Sequence, residues 1–262
     1  MTRVAVGGAT GWTGAALCAG IRGTDDLHLV AGVSRTHAGS DLGEVIAGTT
    51  WAVPVHASVA AALDNADVYV DFTKHHAVKT HVLTAIAARK QVIVGTSGLT
   101  AADYDDIDKA ARAHGVGVIA AGNFAILAAL AQVAALTVAE HVPTWEVIDY
   151  ASFTKPDVPS GTARELAEKL SAVHPPTIGV PVDDIAGPKA ARGADVDGTR
   201  VHSVRTPGFV VSTEVVFGLP GQRMSIRFDA GDSPQPYVDG VILAIRALHD
   251  RVGLTRGLES LL

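Results

Sequence analysis

Short apolar runs alternate with amphipathic stretches through the first half of the chain. The apolar runs predict five strands, at residues 3–7, 27–33, 67–72, 91–94 and 116–120. The stretches between them carry apolar residues at helical spacing and predict helices, at residues 15–21, 57–65, 74–88 and 100–114, with a polar loop or short helix at residues 41–48. Strands that alternate with helices at this spacing are typical of an α/β fold with a doubly wound parallel sheet.

The pattern changes beyond residue 124. A long Ala/Leu helix is predicted at residues 125–141, and strands follow at residues 145–150, 201–205, 210–217 and 223–229. A helix at residues 164–172 and a loop rich in Pro and Gly at residues 174–198 separate the first of these strands from the others. These elements predict a second, α+β unit with a mixed, mostly antiparallel sheet. We therefore expect a dinucleotide-binding domain of residues 1–123, completed by residues 235–262, and a substrate-binding and oligomerisation domain of residues 124–234.

Composition narrows the class of protein. The chain has 262 residues, of which 48% are hydrophobic and only 5% aromatic, so its core is built from Ala, Val, Leu and Ile. A net charge of −6 without a basic run argues against a nucleic-acid partner. Cys18 is the one cysteine, which excludes an internal disulfide and fits a reducing cytosol. The N-terminus lacks a secretory signal and no apolar run reaches the ~18 residues of a membrane span, so we expect a cytoplasmic protein.

The eleven histidines are scattered along the chain, and only His75, His76 and His81 form a local cluster. They fall on a predicted helix start, and no cysteine or carboxylate stands beside them at the spacing of metal ligands. We interpret them as surface or phosphate-facing side chains and predict no metal site.

A glycine-rich turn joins the first strand to the first helix. It has the spacing Gly8-x-x-Gly11-x-x-Gly14, and the residues expected to meet a cofactor there are Gly8, Thr10, Gly11, Trp12, Thr13 and Gly14. A strand, this turn and a helix form a dinucleotide-binding signal, because glycines let the backbone approach a pyrophosphate closely. The alternative is a tight turn without a ligand, and the surrounding strand–helix–strand frame favours the cofactor.

The second strand ends in Ser34-Arg35 rather than in the acidic residue that binds the ribose 2′-hydroxyl of NAD. An arginine at this point can pair with a 2′-phosphate, which favours NADPH over NADH, although a solvated arginine is the alternative. The ends of the later strands face the ligand crevice of such a sheet. They add further expected cofactor contacts, from Phe72, Thr73, Gly95, Thr96, Ser97, Asn123 and Phe124.

The stretch from Lys155 to Ala163 is the most distinctive of the second unit. Pro156 and Pro159 keep it extended, and Ser160 or Thr162 can cap the helix that follows. The backbone N–H groups of Ser160, Gly161 and Thr162 would then point out of a helix N-terminus, next to the Lys155 ammonium. This arrangement predicts an anion site. The alternative is an ordinary capped helix with a solvated lysine.

Five motifs thus follow one another, at Gly8–Gly14, Asp71-Phe72-Thr73, Gly95-Thr96-Ser97-Gly98, Asn123-Phe124 and Lys155-x-Asp157-x-Pro159-Ser160-Gly161-Thr162-Ala163. In this order, and with Val204-Arg205 further on, they resemble the 4-hydroxy-tetrahydrodipicolinate (dihydrodipicolinate) reductase family over essentially the whole chain. The resemblance implies an NAD(P)H-dependent oxidoreductase of the lysine and diaminopimelate pathway, with a Rossmann domain, a mixed-sheet substrate domain and a homotetrameric assembly. It also implies hydride transfer to C4 of a cyclic imine dicarboxylate, whose carboxylate is bound by Lys155, Ser160, Gly161 and Thr162.

The chain departs from the family pattern just before Lys155. The family reads Glu-x-His-His-x-x-Lys, whereas this chain reads Asp149-Tyr150-Ala151-Ser152-Phe153-Thr154-Lys155. The first histidine is the family's proposed proton donor, which Ala151 cannot replace. Ser152 can replace only the substrate hydrogen bond of the second. A third family histidine corresponds to Phe228, so the expected pocket is less basic and more apolar.

Removing a general acid typically costs about 10²- to 10⁴-fold in rate, so three hypotheses stay open. In the first hypothesis, the chain runs the family reaction with Lys155 or a water as proton source, and Lys155 is then its catalytic residue. In the second, it is a paralogue that reduces another cyclic imine or iminium compound, such as one with a single carboxylate. The third hypothesis is a non-catalytic nucleotide-binding protein, against which the retained Lys155 and Pro159 to Thr162 argue. Tyr150 and Ser152 are the nearest hydroxyl candidates for a replacement donor, unless Tyr150 faces the other side of its strand.

Overall fold

Two sheets organise the chain, and each belongs to its own unit. The computed structural model describes residues 1–262. Unit 1 comprises residues 1–126 and 234–262, and unit 2 comprises residues 127–233. The chain contains no helix that is both long and apolar enough to cross a membrane.

Twelve strands and eight helices make up these units. The strands are β1 (Thr2–Gly7), β2 (Leu27–Val33), β3 (Val55–His56), β4 (Val68–Asp71), β5 (Gln91–Val94), β6 (Gly117–Ala120), β7 (Trp145–Ala151), β8 (Ala194–Val196), β9 (Thr199–Arg205), β10 (Val211–Leu219), β11 (Gln222–Asp229) and β12 (Gly253–Arg256). The helices are α1 (Trp12–Arg22), α2 (Leu42–Ala47), α3 (Val59–Ala62), α4 (Val78–Ala87), α5 (Ala101–His114), α6 (Ile126–Ala139), α7 (Gly161–Val173) and α8 (Pro236–Ala247). Short 3₁₀ turns lie at Val182–Asp184, Lys189–Arg192 and Leu258–Leu261.

The sheet of unit 1 has seven strands in the order β12-β6-β5-β4-β1-β2-β3, and every neighbouring pair is parallel. Strands β4 and β6 are buried along their whole length, as expected where helices cover both faces of a parallel sheet. The predicted doubly wound sheet is therefore confirmed. The chain winds from β1 to β2 on one side and reaches β4 on the other, which makes the end of β1 a topological switch point where ligands bind.

Several elements differ from the sequence prediction. Strands β3, β8 and β12 were not predicted, because they are short edge strands with little periodicity of their own, and β8 lies within the predicted loop at residues 174–198. Residues 41–48, predicted as a loop or short helix, do contain the short helix α2, which Asp41 caps by accepting a hydrogen bond from the Glu44 backbone. Helix α4 begins only at Val78, because the preceding residues form a turn that is closed by a bond from the Ala77 N–H to the Lys74 carbonyl.

The sheet of unit 2 has the order β11-β10-β7-β9-β8. Only β7 and β9 run parallel, so the predicted mixed, mostly antiparallel sheet is confirmed. Helices α6 and α7 supply residues such as Ala139 and Leu170 to a core with Val147 and Phe217 of the sheet. Strand β7 alternates between buried residues on this helix-covered face and half-buried residues on the other face.

Candidate active site

The glycine-rich turn of unit 1 leads directly into helix α1. Gly11 is the N-cap of this 11-residue helix, and no side chain caps it. The first N–H groups of a helix have no partner within it, so this end can bind an anion. A Cβ atom at Gly14 would overlap the carbonyl oxygen of Gly8, and one at Gly8 would overlap that of Phe72. The turn is therefore packed more closely than other residues allow, and it fits the pyrophosphate of a dinucleotide.

The predicted residues around this turn fall into two groups. Trp12 has 52% of its surface exposed, and its ring meets the edge of the Tyr237 ring at 6.4 Å. Thr13 is half-buried on the first turn of α1. Thr10 points to the end of β2, where its Oγ1 lies 2.9 Å from Ser34 Oγ. The structure thus brings the glycine turn and the residues after β2 together.

Two residues beside Arg35 were missed by the sequence analysis. Thr36 Oγ1 lies 3.3 Å from Ser34 Oγ and 3.0 Å from His37 Nδ1. Arg35 itself is exposed. A short run of hydroxyl and imidazole groups next to an arginine offers hydrogen-bond donors to a phosphate, and only its position after β2 could have indicated it.

The carboxyl ends of β4 and β5 lie side by side, and they bring Thr73 and Thr96 together. The Thr73 N–H donates to Thr96 Oγ1 over 2.7 Å. The Phe72 ring covers Gly95, where a Cβ atom would overlap it. Ser97 is half-buried in the same loop. These residues form one wall beside the glycine turn.

The Asn123-Phe124 motif follows β6 and can offer a ligand main-chain groups but not the ring of Phe124. Phe124 is only 1% exposed, and its ring packs against Phe72 at 5.9 Å. Asn123 Oδ1 accepts from the Ala125 N–H over 2.8 Å. A ligand could therefore contact Phe124 only through its main chain. The sequence motif does not indicate whether the ring or the main chain of Phe124 is accessible.

His81 is half-buried and contacts an acidic residue, which the interpretation as a surface or phosphate-facing side chain does not include. Its Nδ1 lies 3.1 Å from the fully buried carboxylate of Asp71. His75 and His76 are exposed on the preceding turn, with their rings 5.2 Å apart. No group of three or more His, Cys, Asp or Glu side chains in the chain is arranged to hold a metal ion.

The anion turn of unit 2 is built on a cap by Ser160. Its Oγ accepts from the Ala163 N–H at the start of α7. The same Oγ donates to Asp149 Oδ1 over 2.6 Å, and the Ser160 N–H donates to Asp149 Oδ2 over 2.9 Å. The expectation that the Ser160 N–H points toward a ligand is therefore wrong, because both donors of Ser160 face a buried carboxylate. Gly161 and Thr162 follow as the first two residues of the helix.

Asp149 is the centre of this turn, and the sequence analysis missed its role. Its carboxylate is fully buried and also accepts from Ser203 Oγ over 2.9 Å and from Arg205 Nη2 over 2.7 Å. Arg205 Nη2 donates further to the Asp157 carbonyl over 2.9 Å, so one arginine holds both ends of the turn. A signal was present, since Asp149 occupies a core-facing position of the alternating strand β7, where a charge requires a partner.

Burial alone would raise the pKa of Asp149. Hydrogen bonds from Ser160, Arg205 and Ser203 stabilise the ionised form and lower the pKa below its usual value. The carboxylate is therefore charged at neutral pH and can hold its donors in place.

Lys155 lies on the same turn and faces an acidic neighbour. Its Nζ is 2.9 Å from Asp157 Oδ1, and its side chain is 26% exposed. The Lys155 N–H donates to the Ser152 carbonyl over 2.9 Å, which closes the turn. Ser152 Oγ lies 3.0 Å from Thr154 Oγ1. The structure thus brings Lys155 and Ser152 together, with their side-chain donors partly accessible.

The positions that lack the family histidines are apolar and buried. Ala151 is 0% and Phe228 is 7% exposed. Strand pairing places Phe228 opposite Thr213, which pairs in turn with Asp149, so Phe228 lies on the Asp149 face of the sheet. Neither side chain can donate a proton.

Tyr150 lies on the opposite face of β7. Its hydroxyl is 3.1 Å from Glu214 Oε2, and its ring stacks on Phe209 at 5.0 Å. The hypothesis that Tyr150 replaces the lost proton donor is therefore wrong.

The Asp149 contacts predict a pH-dependent contribution to stability. Replacing Asp149 by Asn removes the charge and sets an amide group against donors of Ser160 and Arg205. We expect a loss of about 3 kcal/mol in the free energy of unfolding at neutral pH, measured by urea denaturation. A lowered folded-state pKa contributes stability above the unfolded pKa of about 3.9, and this is lost as the pH falls through the folded value. The difference in the free energy of unfolding between Asp149→Asn and the wild type should therefore become smaller in acid.

The matched control for this prediction is Asp183→Asn. Asp183 also forms an ion pair, with the ammonium group of Lys189, but the Asp183 side chain is 91% exposed. We expect a change within about 0.5 kcal/mol, as for most surface substitutions. A cost of Asp149→Asn that stayed constant down to low pH would contradict the charged role.

Comparisons with known proteins cover the whole chain. A family model described as "Dihydrodipicolinate reductase, N-terminus" matches residues 2–124, and one described as "Dihydrodipicolinate reductase, C-terminus" matches residues 123–262. The 4-hydroxy-tetrahydrodipicolinate reductase of Desulfitobacterium hafniense (strain DSM 10664 / DCB-2) is 36% identical, and the alignment covers 99% of this chain and 98% of that protein. The enzyme of the same name from Mycolicibacterium vanbaalenii is also 36% identical, with the same shares covered.

A solved structure resembles the chain over its full length. It is that of a dipicolinate-bound dihydrodipicolinate reductase from Paenisporosarcina sp. TG-14, with a TM-score of 0.77, 29% identity and complete coverage of both chains. Together with the two matching family models, this likeness settles the relationship. The chain belongs to the dihydrodipicolinate reductase family, a family of NAD(P)H-dependent oxidoreductases.

Proposed function

We propose that the protein reduces a cyclic imine carboxylate with a nicotinamide cofactor, as 4-hydroxy-tetrahydrodipicolinate reductases do in the lysine and diaminopimelate pathway. The observation that carries this proposal is the turn from Lys155 to Thr162. It carries Lys155 and leads into the N-terminus of α7, and the ion pair of buried Asp149 with half-buried Arg205 holds it. Burying a charge is costly unless it is paired and hydrogen-bonded, so the contacts of Asp149 hold this turn in one geometry.

In this proposal the turn binds a substrate carboxylate. The backbone N–H groups of Gly161 and Thr162 begin helix α7 and favour an anion. The Lys155 ammonium supplies a full charge, and the ligand carboxylate competes for it with Asp157. Ser160 positions the helix start rather than donating to substrate, while Ser152 can offer its hydroxyl.

Hydride for the reduction comes from the bound nicotinamide. Whether the hydride adds to a C=N bond or to C4 of a C=C bond conjugated with it, the reduction also consumes one proton. Ala151 and Phe228 cannot supply it, whereas the Lys155 ammonium can, either directly or through a water that it holds. We therefore assign Lys155 as the catalytic residue and as a substrate ligand.

A second candidate is the reduction of a cyclic imine or iminium compound with a single carboxylate. The resemblance places Ala151 and Phe228 where the family has histidines, and this favours the second candidate, because neither side chain can bind a second carboxylate. One carboxylate would suffice for the donors of the Lys155 turn.

The first experiment measures NADPH oxidation with the pathway substrate generated in situ, beside an active member of the family. Comparable turnover supports the pathway reaction. A rate lower by several orders of magnitude, with reduction of cyclic imino acids that carry one carboxylate, supports the second candidate. Cofactor binding without turnover of either substrate class would contradict both and leave a nucleotide-binding protein.

Two substitutions at Lys155 separate its charge from its proton. Lys155→Ala should weaken the binding of pyridine-2,6-dicarboxylate, a planar mimic of the family product, and lower turnover by about 10²- to 10⁴-fold. Lys155→Arg keeps the charge but cannot give up a proton, so it should retain binding and still lose turnover. Unchanged binding in Lys155→Ala would refute the anion site, and full activity in Lys155→Arg would refute the proton role.

We propose that NADPH is preferred over NADH, and that Ser34 and Arg35 bind its 2′-phosphate. Arg35→Ala should raise the dissociation constant of NADPH by about 10- to 100-fold, the effect of losing a charged hydrogen bond, and leave that of NADH unchanged. Arg223→Ala removes another exposed arginine, in unit 2, and serves as the control. Equal weakening of both cofactors by Arg35→Ala would refute this assignment.

We also propose a homotetramer in which copies of the chain cover the outer face of the unit 2 sheet. This face carries half-buried residues without a helix over them, and a cavity of about 450 Å³ opens there, lined in part by Glu146, Ile148, His202 and Val216. Light scattering should give four times the chain mass of 26.9 kDa. Ile148→Asp should dissociate the assembly, whereas a monomeric wild type would contradict the proposal.

A further inference from the structure

Asp71 is a second fully buried carboxylate, at the end of β4, and the function proposed above does not use it. Its Oδ1 accepts from Thr96 Oγ1 over 2.6 Å, from Thr73 Oγ1 over 2.7 Å and from the Thr73 N–H over 3.1 Å. Its Oδ2 accepts from the Tyr69 hydroxyl over 2.8 Å and from His81 Nδ1 over 3.1 Å. Five donors thus converge on one carboxylate.

This set of donors keeps the carboxylate charged. Burial by itself raises the pKa of Asp71, but hydrogen bonds from His81, Thr96, Thr73 and Tyr69 lower it below the usual value. The same burial and the neighbouring charge raise the pKa of Tyr69, so its hydroxyl keeps its proton and donates it. Asp71 is therefore an acceptor toward every group around it.

The contacts of Asp71 join three strand ends that line the expected cofactor crevice. Thr73 follows β4 and Thr96 follows β5. Tyr69 reaches Asp71 through the space that a side chain at Gly7, the last residue of β1, would occupy. A Cβ at Gly7 would also lie 3.2 Å from the Thr73 methyl group. The glycine at the end of β1 thus serves this network as well as the turn that follows it.

The direction of these hydrogen bonds has a chemical consequence. A threonine hydroxyl has one proton to donate, and an ionised carboxylate can only accept. Thr73 and Thr96 both give their proton to Asp71, so toward a ligand their oxygens can only accept. The oxygens of a phosphate group are acceptors as well, so a phosphate cannot form hydrogen bonds with these two threonine oxygens. The nicotinamide nucleoside does match, since its carboxamide N–H and ribose hydroxyl groups are donors.

We propose that Asp71 is a positioning residue, which fixes Thr73 and Thr96 as acceptors for the hydrogen-bond donors of the nicotinamide nucleoside. This end of the crevice is thereby selective for the nicotinamide half of the cofactor over its phosphates. The inference rests on the proposed placement of the cofactor against these loops. It does not depend on the identity of the imine substrate, because it concerns cofactor binding alone.

The test compares Thr73→Val with Thr73→Ser in the full chain by calorimetry. Valine has the shape of threonine without the acceptor, whereas serine keeps it. Binding of NADPH is measured against adenosine 2′,5′-bisphosphate, which lacks the nicotinamide half. NADH against ADP is measured in parallel, so that the result does not depend on which dinucleotide is preferred.

Thr73→Val should weaken both dinucleotides by about tenfold, the effect of one lost hydrogen bond, while Thr73→Ser stays close to the wild type. Neither substitution should change the binding of the adenine fragments. Asp71→Asn, which turns an acceptor into a donor, should weaken the dinucleotides at least as much and also spare the fragments. Wild-type dinucleotide binding by Thr73→Val, failure of serine to rescue, or an equal loss of the adenine fragments in Thr73→Val would overturn the proposal.

Discussion

A fully buried carboxylate lies at or near the end of a core strand in each unit, and the loops expected to meet ligands are hydrogen-bonded to it. In unit 1 this is Asp71, which holds the loops after β4 and β5. In unit 2 it is Asp149, which holds the start of α7 and, through Arg205, the carbonyl of Asp157. Burial of a charge costs free energy unless each lone pair accepts a hydrogen bond. Movement of these loops would break such hydrogen bonds, so the buried carboxylates hold the loops in place. Two buried acidic residues thus hold the loops of both expected ligand sites through hydrogen bonds.

Two changes to the family pattern lie outside this framework, although Asp149 itself stands where the family reads Glu. Ala151 and Phe228 stand where the family has histidines, and both pack on the Asp149 face without joining its hydrogen bonds. The hydrogen bonds that hold the Lys155 turn therefore do not involve the two positions where the resemblance places histidines.

Close backbone approach is the second constraint on unit 1. A side chain at Gly14 would collide with the Gly8 carbonyl, and one at Gly95 with the Phe72 ring. Gly7 makes room for the Tyr69 hydroxyl and so connects the glycine turn with the Asp71 network. The motif glycines consequently serve packing between strand ends as much as they serve the approach of a ligand.

The sequence by itself determined the central strands of the two sheets, the family and the two motif turns expected to meet ligands, because periodicity and motif spacing are local properties. It could not predict β3, β8 and β12, whose few residues pair only at the edges of the two sheets. Nor could it assign the direction of a hydrogen bond. Ser160 turns toward Asp149, and Arg205 reaches the same carboxylate from 56 positions away, so the donors left for a ligand depend on contacts that only the fold creates. Tertiary structure decided this because the burial of one charge orients every polar group around it.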